Sequence, residues 1–453
     1  MSTLTGEQES QLLESEEELY TYFQPFAKPA LKQRIGIECE FFGVRRQTGE
    51  ALPYSGPQGI EAILSRLAAE FHYESLFEGG HVIALSRDET WITLEPGAQV
   101  ELSAPPVRSV VEIDRQLQTF KKELEKMGKY FPHVAWLSVG IHPFSSTDEI
   151  SWVPKQRYRL MAKYLPQKGA LAHEMMKRTA TNQVNFDFTD ETNAFDQFRM
   201  VLGISSVVSA LFSHSAISDG KPNGFFTRRA YVWQKTDPDR CGLLVDFIRE
   251  GKNFRDYVEY LLEMPMIFIV RGETWIPMGG ISFRKFIKEG KQGYRATRGD
   301  FEVHLSTAFP EARFKHYLEI RNVDAQRFSL IPSVVSFWKG IVYDEEIRKK
   351  VWNLVRDFTP SERLKLYRDV PKKGLKARLG KTPVSELARE LLKLSRQGLS
   401  RQEALSGPGE GLYLERIQEE ILKPQRTPAE TLLERWRQLK RPKIEGLISY
   451  LEI

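Results

Sequence analysis

Two cysteines in 453 residues, Cys39 and Cys241, are too few for a disulfide framework, and their scarcity points to a reducing compartment. Histidine is also sparse, and no stretch has zinc-ligand spacing: the nearest string, His173-Glu-Met-Met-Lys177, lacks a second imidazole. No glycine-rich loop ends in Lys-Ser or Lys-Thr, and no Rossmann glycine fingerprint follows a strand, so neither device is there to cradle phosphates. No Ser-His-Asp or Cys-His arrangement suggests a covalent intermediate. Basic residues are missing before Lys28, which argues against a secretory signal or an arginine-rich transit peptide. The uncharged run from Met200 to Ser218 is interrupted by serines, Gly203 and His214, so it reads as a buried core helix rather than a membrane span. The net charge of +5 neither demands nor excludes a polyanionic partner. The expectation is a soluble, cytoplasmic protein with no membrane partner.

What is present falls into three stretches. Residues 1–30 form an acidic lead-in whose Leu12, Leu13, Leu19, Tyr20 and Phe23 suggest an amphipathic helix. Residues 31–345 mix strands and helices: strands from Arg34 to about Leu102 are interrupted by a helix over Gly59–Phe71, and a charged helix follows over Val110–Tyr130. Strand-like segments return at Thr179–Phe188, Met266–Val270, Glu302–Thr307 and Phe314–Arg321. Residues 346–453 read as helices only. Thr359-Pro-Ser-Glu362 and Thr427-Pro-Ala-Glu430 are capping boxes with proline at the first helical position, and a third helix begins near Thr382-Pro383. The fold class is α+β, with a helical C-terminal region packed on the catalytic body.

The chemistry is concentrated in four strands that carry acids and amides on alternate residues. In Arg34–Phe42, Glu38 and Glu40 share one face while Ile35, Ile37, Cys39 and Phe41 share the other. In Trp91–Leu102, Glu95 leads into a Pro-Gly turn, and Gln99 and Glu101 then point together. Gln183, Asn185 and Asp187 form a third polar face, and Tyr317, Glu319 and Arg321 a fourth. Glutamate is a poor strand former and facing like charges repel, so one sheet built from these strands needs countercharge. Hard carboxylate and amide oxygens suit Mg²⁺ or Mn²⁺. The spacing therefore points to an enzyme that handles a Mg-nucleotide, and it leaves the reaction open.

At these strands the sequence resembles the plant-type glutamate–cysteine ligase family, which also has bacterial members, and the chain reads as one of those. The resemblance runs from about Arg34 to beyond Thr427. It is carried by Gly36-Ile-Glu-Cys-Glu40, Ile92-Thr-Leu-Glu-Pro-Gly-Ala-Gln-Val-Glu-Leu-Ser103, Arg178-Thr-Ala-Thr-Asn-Gln-Val-Asn185, Asp219-Gly-Lys-Pro-Asn-Gly224, Thr236-Asp-Pro-Asp-Arg240 and Tyr317-Leu-Glu-Ile-Arg321. It implies a glutamine-synthetase-like antiparallel sheet curled into a funnel. ATP would phosphorylate the γ-carboxyl of glutamate, and the amine of cysteine would attack the acyl phosphate, the first step of glutathione-type thiol synthesis. It also implies Glu38, Glu40, Glu95, Glu101 and Glu319 as ligands of Mg²⁺, with Mn²⁺ as an alternative, and Gln183 at the nucleotide. Arg321 would steady the transferring phosphoryl group, and Arg157 and Arg229 would clamp glutamate.

The sequence departs from the family at Cys39, where histidine is usual, at Ala180, where plant members carry cysteine, and at Ile267, where a tyrosine helps line the cysteine pocket. Two other readings stay open. One keeps the fold and changes the amine acceptor. The other is nucleic-acid binding through Arg363–Arg401, which holds 12 basic residues against three acidic ones. The loop Lys288–Asp300, with three glycines and several cations, reads equally as a lid over phosphates or as a plain surface hairpin.

Overall fold

A computed structural model describes residues 10–440 and 443–453 of the chain. Nine antiparallel strands form its central sheet: β1 (Ile35–Arg45), β2 (Glu74–Glu78), β3 (His81–Arg87), β4 (Thr90–Leu94), β5 (Val100–Ser103), β6 (Val134–Leu137), β7 (Asn182–Phe186), β8 (Ala312–Phe314) and β9 (Leu318–Ile320). Their spatial order is β8-β9-β7-β1-β5-β4-β3-β2, and β6 joins the far end of β1. The strand β1 is long enough to serve two sheets of neighbours. Its first half lies between β7 and β5, while Phe42 to Arg45 pair with β6.

Alternation sorts the two faces as the sequence suggests. Ile37, Cys39, Phe41, Val184, Phe186, Leu102, Leu318 and Ile320 are buried on one side. Behind them pack the helices Val110–Met127 and Ile331–Val342, with the rings of Phe41 and Phe120 5.8 Å apart. The polar face is partly covered: Glu40 keeps 8% of its surface exposed and Glu319 none, while Glu38, Glu95 and Glu101 are half-buried. Charges buried as deeply as Glu40 and Glu319 need partners.

The uncharged run is helical only as far as Leu211, in the helix Glu191–Leu211, which is capped by Asp190 and buried throughout from Met200 onward; the end of the run, Ile217–Ser218, pairs as a short strand with Lys221–Pro222. No described helix is long and apolar enough to cross a membrane. Both C-terminal capping boxes are formed, at Thr359–Glu362 and Thr427–Glu430. The third helix runs over Val384–Ser406. It is preceded by a two-residue ladder, Arg378–Leu379 against Thr382–Pro383, so the C-terminal stretch is not purely helical. Leu432, Leu447, Ile448 and Leu451 close over Phe42, Val44, Ala135 and Leu137 at the β1–β6 end.

Two segments differ from expectation. Glu302–Thr307 is not a strand: the helix Arg298–Leu305 covers most of it, started by a capping box in which Thr297 and Asp300 exchange hydrogen bonds of 3.2 and 2.9 Å. The Thr-Arg-Gly-Asp300 spacing that signals this cap is present in the sequence. The lead-in forms short 3-10 turns, Glu16–Leu19 and Gln24–Phe26, in place of one amphipathic helix; its residues 1–9 lie outside the described residues. Pro25 and Pro29 interrupt helical hydrogen bonding. Leu19, Tyr22 and Phe23 are anchored one by one instead, Phe23 stacking on Phe254 at 5.2 Å.

Candidate active site

Cross-strand register turns the sequence pattern into rows of side chains on the polar face. Glu40 stands opposite Glu101, and Glu101 opposite Thr93. Glu38 stands between Gln183 on β7 and Ser103 on β5. Asn185 lies between Gly36 and Glu319, and its amide donates to Glu38 Oε1 at 2.9 Å. A side chain at position 36 would press on Asn185, 3.3 Å from its Cβ, so the glycine leaves Asn185 room to lean toward Glu38.

Glu95 enters from a turn between β4 and β5. Glu95 and Gln99 share a backbone hydrogen bond of 3.0 Å, and Ala98 takes a left-handed conformation at φ 64°. Gly97 is required by close approach, since a Cβ there would strike the Lys177 carbonyl. Gln99, grouped with Glu101 by alternation, is a strut instead: it accepts from Gly97 N–H at 2.9 Å and donates to the Thr179 carbonyl at 2.9 Å. Lys155 and Tyr158 both donate to the Leu94 carbonyl, at 3.0 and 2.6 Å, and fix the start of the turn.

The four acids near β1 and β5 repel one another. Burial pushes the Glu40 carboxyl well above its ordinary range, and Glu95 and Glu101 add to this. Burial together with Glu38 and Glu95 pushes Glu101 up to about 8. The cations within reach, Arg229 and Arg321 for Glu40 and Lys315 for Glu101, do not offset this, and hard carboxylate oxygens are the donor set that a divalent Mg²⁺ or Mn²⁺ takes. As they stand, no three His, Cys, Asp or Glu side chains among the described residues are disposed to hold one metal ion.

Glu319 is in a different situation from the other four expected ligands. Arg313, Lys315 and Arg321 surround it, with Lys315 Nζ at 2.6 Å and Arg321 Nη1 at 2.8 Å. Burial would raise its carboxyl, but these three cations outweigh burial and hold it well below the usual range. In this arrangement Glu319 organises a cationic cluster. Arg321 also donates to Gln183 Oε1. Arg229 donates to the Arg321 carbonyl at 2.8 Å, and the Trp233 ring lies near both guanidinium groups. Arg157 donates to the Ser306 carbonyl at 3.1 Å, and Glu95 and Arg313 are among the charges acting on it. Arg157 Nε and Arg229 Nε are buried donors without a protein partner, which is what a site awaiting anionic ligands leaves open; the Asn185 Oδ1 acceptor is also unpaired.

All nine residues singled out in the sequence thus stand around one face. The sequence pattern of glutamate–cysteine ligase family 2 (GCS2) matches residues 34–449. The chain belongs to that family. Among its relatives, the chloroplastic glutamate–cysteine ligase of Brassica juncea is 36% identical over 426 residues, covering 92% of this chain and 80% of the relative. The chloroplastic enzyme of Arabidopsis thaliana is 35% identical over 444 residues, covering 95% and 82%. Among solved structures, the glutamate–cysteine ligase (gshA) of Francisella tularensis in complex with AMP shares the fold at a TM-score of 0.59 and 13% identity, over 92% of this chain and 87% of that one.

Sequence reasoning missed two cations on this face, Arg313 and Lys315, both paired with Glu319. Strand pairing puts Arg313 directly opposite Glu319, but β8, Ala312-Arg313-Phe314, carries a single polar residue, so no repeat marks its face. Asp187 shares a face with Asn185 yet serves the lead-in: it accepts from Lys28 at 2.7 Å and Arg34 N–H at 2.8 Å. Cys39 faces away from the acids, fully buried. The loop at 288–300 is fastened to the lead-in by Leu13 N–H to the Ala296 carbonyl, Arg298 N–H to the Gln11 carbonyl, and an Arg295–Glu14 ion pair at 3.4 Å. The basic stretch at 363–401 is largely engaged: Arg363 is buried and donates to the Gly203, Val355 and Phe358 carbonyls, and Lys365, Lys373, Arg396 and Arg401 are ion-paired.

Proposed function

We propose that this protein ligates the γ-carboxyl of glutamate to the amine of cysteine, using ATP and releasing ADP and phosphate. One observation carries the reading: a single face holds an anionic half, Glu38, Glu40, Glu95 and Glu101, directly beside a cationic half, Arg157, Arg229, Arg313, Lys315 and Arg321. Bringing a carboxylate up to a triphosphate needs both halves.

In the first step a γ-carboxylate oxygen attacks the terminal phosphorus of ATP in line, and the bond to the bridging β–γ oxygen breaks to release ADP. Arg321 neutralises charge on the equatorial oxygens, where a planar fork is effective. Arg157 and Arg229 hold glutamate so that its γ-carboxylate reaches the phosphorus, and Gln183 positions the nucleotide and Arg321 together. Glu38, Glu40, Glu95 and Glu101 would hold Mg²⁺ or Mn²⁺, which when bound supplies neutralisation of phosphate oxygens. Glu319 would join that set if Arg313, Lys315 and Arg321 turned to phosphate. In the second step the cysteine nitrogen attacks the acyl carbon, the carbon–oxygen bond to phosphate breaks, and the departing phosphate takes up the amine proton. The curled sheet is the floor of a funnel, residues 346–453 buttress its back, and two free thiols fit a reducing compartment such as the cytoplasm.

ADP release measured with glutamate and a panel of amines, with and without Mg²⁺, tests this. Cysteine should stimulate turnover above every other amine, and Glu38→Gln should fold yet be inactive. Stimulation by another amine and none by cysteine would reassign the acceptor. No glutamate-dependent ADP would end the proposal.

A further inference from the structure

The loop after β9 holds a buried carboxylate that touches neither metal-type acids nor the expected substrate atoms. Asp324 is 2% exposed and accepts three hydrogen bonds. Its Oδ2 takes the His214 N–H and the Ser215 hydroxyl, each at 2.7 Å, and its Oδ1 takes the Thr227 hydroxyl at 2.8 Å. Both hydroxyls continue to one helix, Arg228–Trp233. Ser215 Oγ accepts from Arg229 N–H at 3.1 Å, and Thr227 Oγ1 accepts from Ala230 N–H at 3.1 Å.

A hydroxyl has one proton and a carboxylate only accepts, so Asp324 dictates that both hydroxyls turn their lone pairs toward the helix. Six residues cannot sustain a helix in isolation, so its placement depends on such anchors. Asp324 is also the strongest negative charge acting on the Arg229 guanidinium, ahead of Glu40 and Glu311. The same short loop carries Arg321, whose carbonyl accepts from Arg229 at 2.8 Å. Thr181 closes the circuit, donating its hydroxyl to the Val323 carbonyl at 2.6 Å and its N–H to Glu40 at 3.1 Å.

We propose that Asp324 is a positioning residue that sets Arg229 for glutamate through Ser215 and Thr227, tying the glutamate clamp to the loop that carries Arg321. This rests on Arg229 holding glutamate, as proposed above. In Asp324→Asn the amide turns a donor toward groups that already donate, and the hydroxyls lose their fixed direction.

The test is steady-state ADP release by the full chain, with glutamate and ATP varied separately. Asp324→Asn should raise the glutamate KM roughly tenfold or more while the ATP KM moves less than about twofold. Thr227→Val and Ser215→Ala should each raise the glutamate KM by about two- to fivefold, and they carry the test if Asp324→Asn does not fold. In an Arg229→Ala background Asp324→Asn should add little, because both act on one contact. If Arg229→Ala raises the glutamate KM and none of the three variants does, the positioning role is refuted. Equal rises in the KM of ATP and glutamate, or fully additive losses with Arg229→Ala, would also refute it and indicate a general structural role. If Arg229→Ala itself leaves the glutamate KM unchanged, the clamp reading falls and this inference falls with it.

Discussion

Removing one member of the buried pair between Lys339 and Glu410 should cost far more than removing both. Lys339 lies in the fully buried helix Ile331–Val342, behind the sheet. Its three ammonium protons meet Glu410 Oε1 at 2.6 Å, Oε2 at 2.7 Å and the Arg108 carbonyl at 2.9 Å. Glu410 in turn accepts from the Val110 N–H at 2.7 Å, at the start of the helix Val110–Met127. The two side chains are 3% and 1% exposed, so water does not screen the pair. Glu410→Gln leaves an ammonium buried beside a neutral amide, at a cost of about 3–5 kcal/mol. Lys339→Met should cost somewhat less, about 2–4 kcal/mol, because Glu410 stays at the positive end of a helix. In Lys339→Met/Glu410→Leu neither charge is buried alone, and the loss should fall to about 1 kcal/mol or vanish. Urea unfolding of the four proteins gives the coupling, which on these figures should be about 4–8 kcal/mol in favour of the pair. Additive single losses would refute the reasoning.

Other outcomes follow from the same structure. Arg321→Lys should lower kcat roughly 100-fold or more with the ATP KM little changed, since a point charge replaces a fork at the transferring group; an unchanged kcat would remove Arg321 from the chemistry. Burial holds His304 neutral, its pKa lowered to about 3, whereas an unfolded histidine titrates near 6.5. Between those values the unfolded chain binds the proton that the native state refuses, so this contribution is complete above about pH 6.5 and is lost as pH falls toward 3. Glu40 and Glu101, whose pKa values are raised, act with the opposite sign over part of that range, so the comparison is with His304→Gln. The stability of wild type relative to that variant should fall by about 1.4 kcal/mol per pH unit between pH 6 and 4, and a constant difference would contradict the assignment. Activity should be indifferent to mild oxidant and reductant, because burial pushes Cys241 up to about 12 and raises Cys39 as well, leaving both as unreactive thiols. A reversible loss on oxidation, abolished by Cys241→Ser, would overturn that.

The faces of β1, β5, β7 and β9 were legible in the sequence because a two-residue period places Glu38, Glu40, Glu101, Gln183, Glu319 and Arg321 without knowledge of the fold. The register was not, and it decides which charges meet. Nothing local says that Glu40 faces Glu101 or that Arg313 faces Glu319. Arg313 escaped notice because its strand is too short to show a pattern, and Lys315 because it lies just past the strand's end. Glu302–Thr307 was misread for the opposite reason: its residues alternate like a strand, while the cap that makes it a helix lies five residues upstream at Thr297. The lead-in shows a third limit, since Tyr22 and Phe23 are placed by distant partners, Glu302 and Phe254. Asp324 carries no motif of its own; its meaning lies in four segments that only the folded chain brings together.

The central claim is that the glutamate γ-carboxylate is itself phosphorylated on this face. Glutamate labelled with ¹⁸O in its γ-carboxyl, turned over with ATP, Mg²⁺ and cysteine, tests it directly by mass analysis of the released phosphate. The account predicts that one labelled oxygen appears in each phosphate released. Unlabelled phosphate, formed at the same rate as the dipeptide, would contradict it.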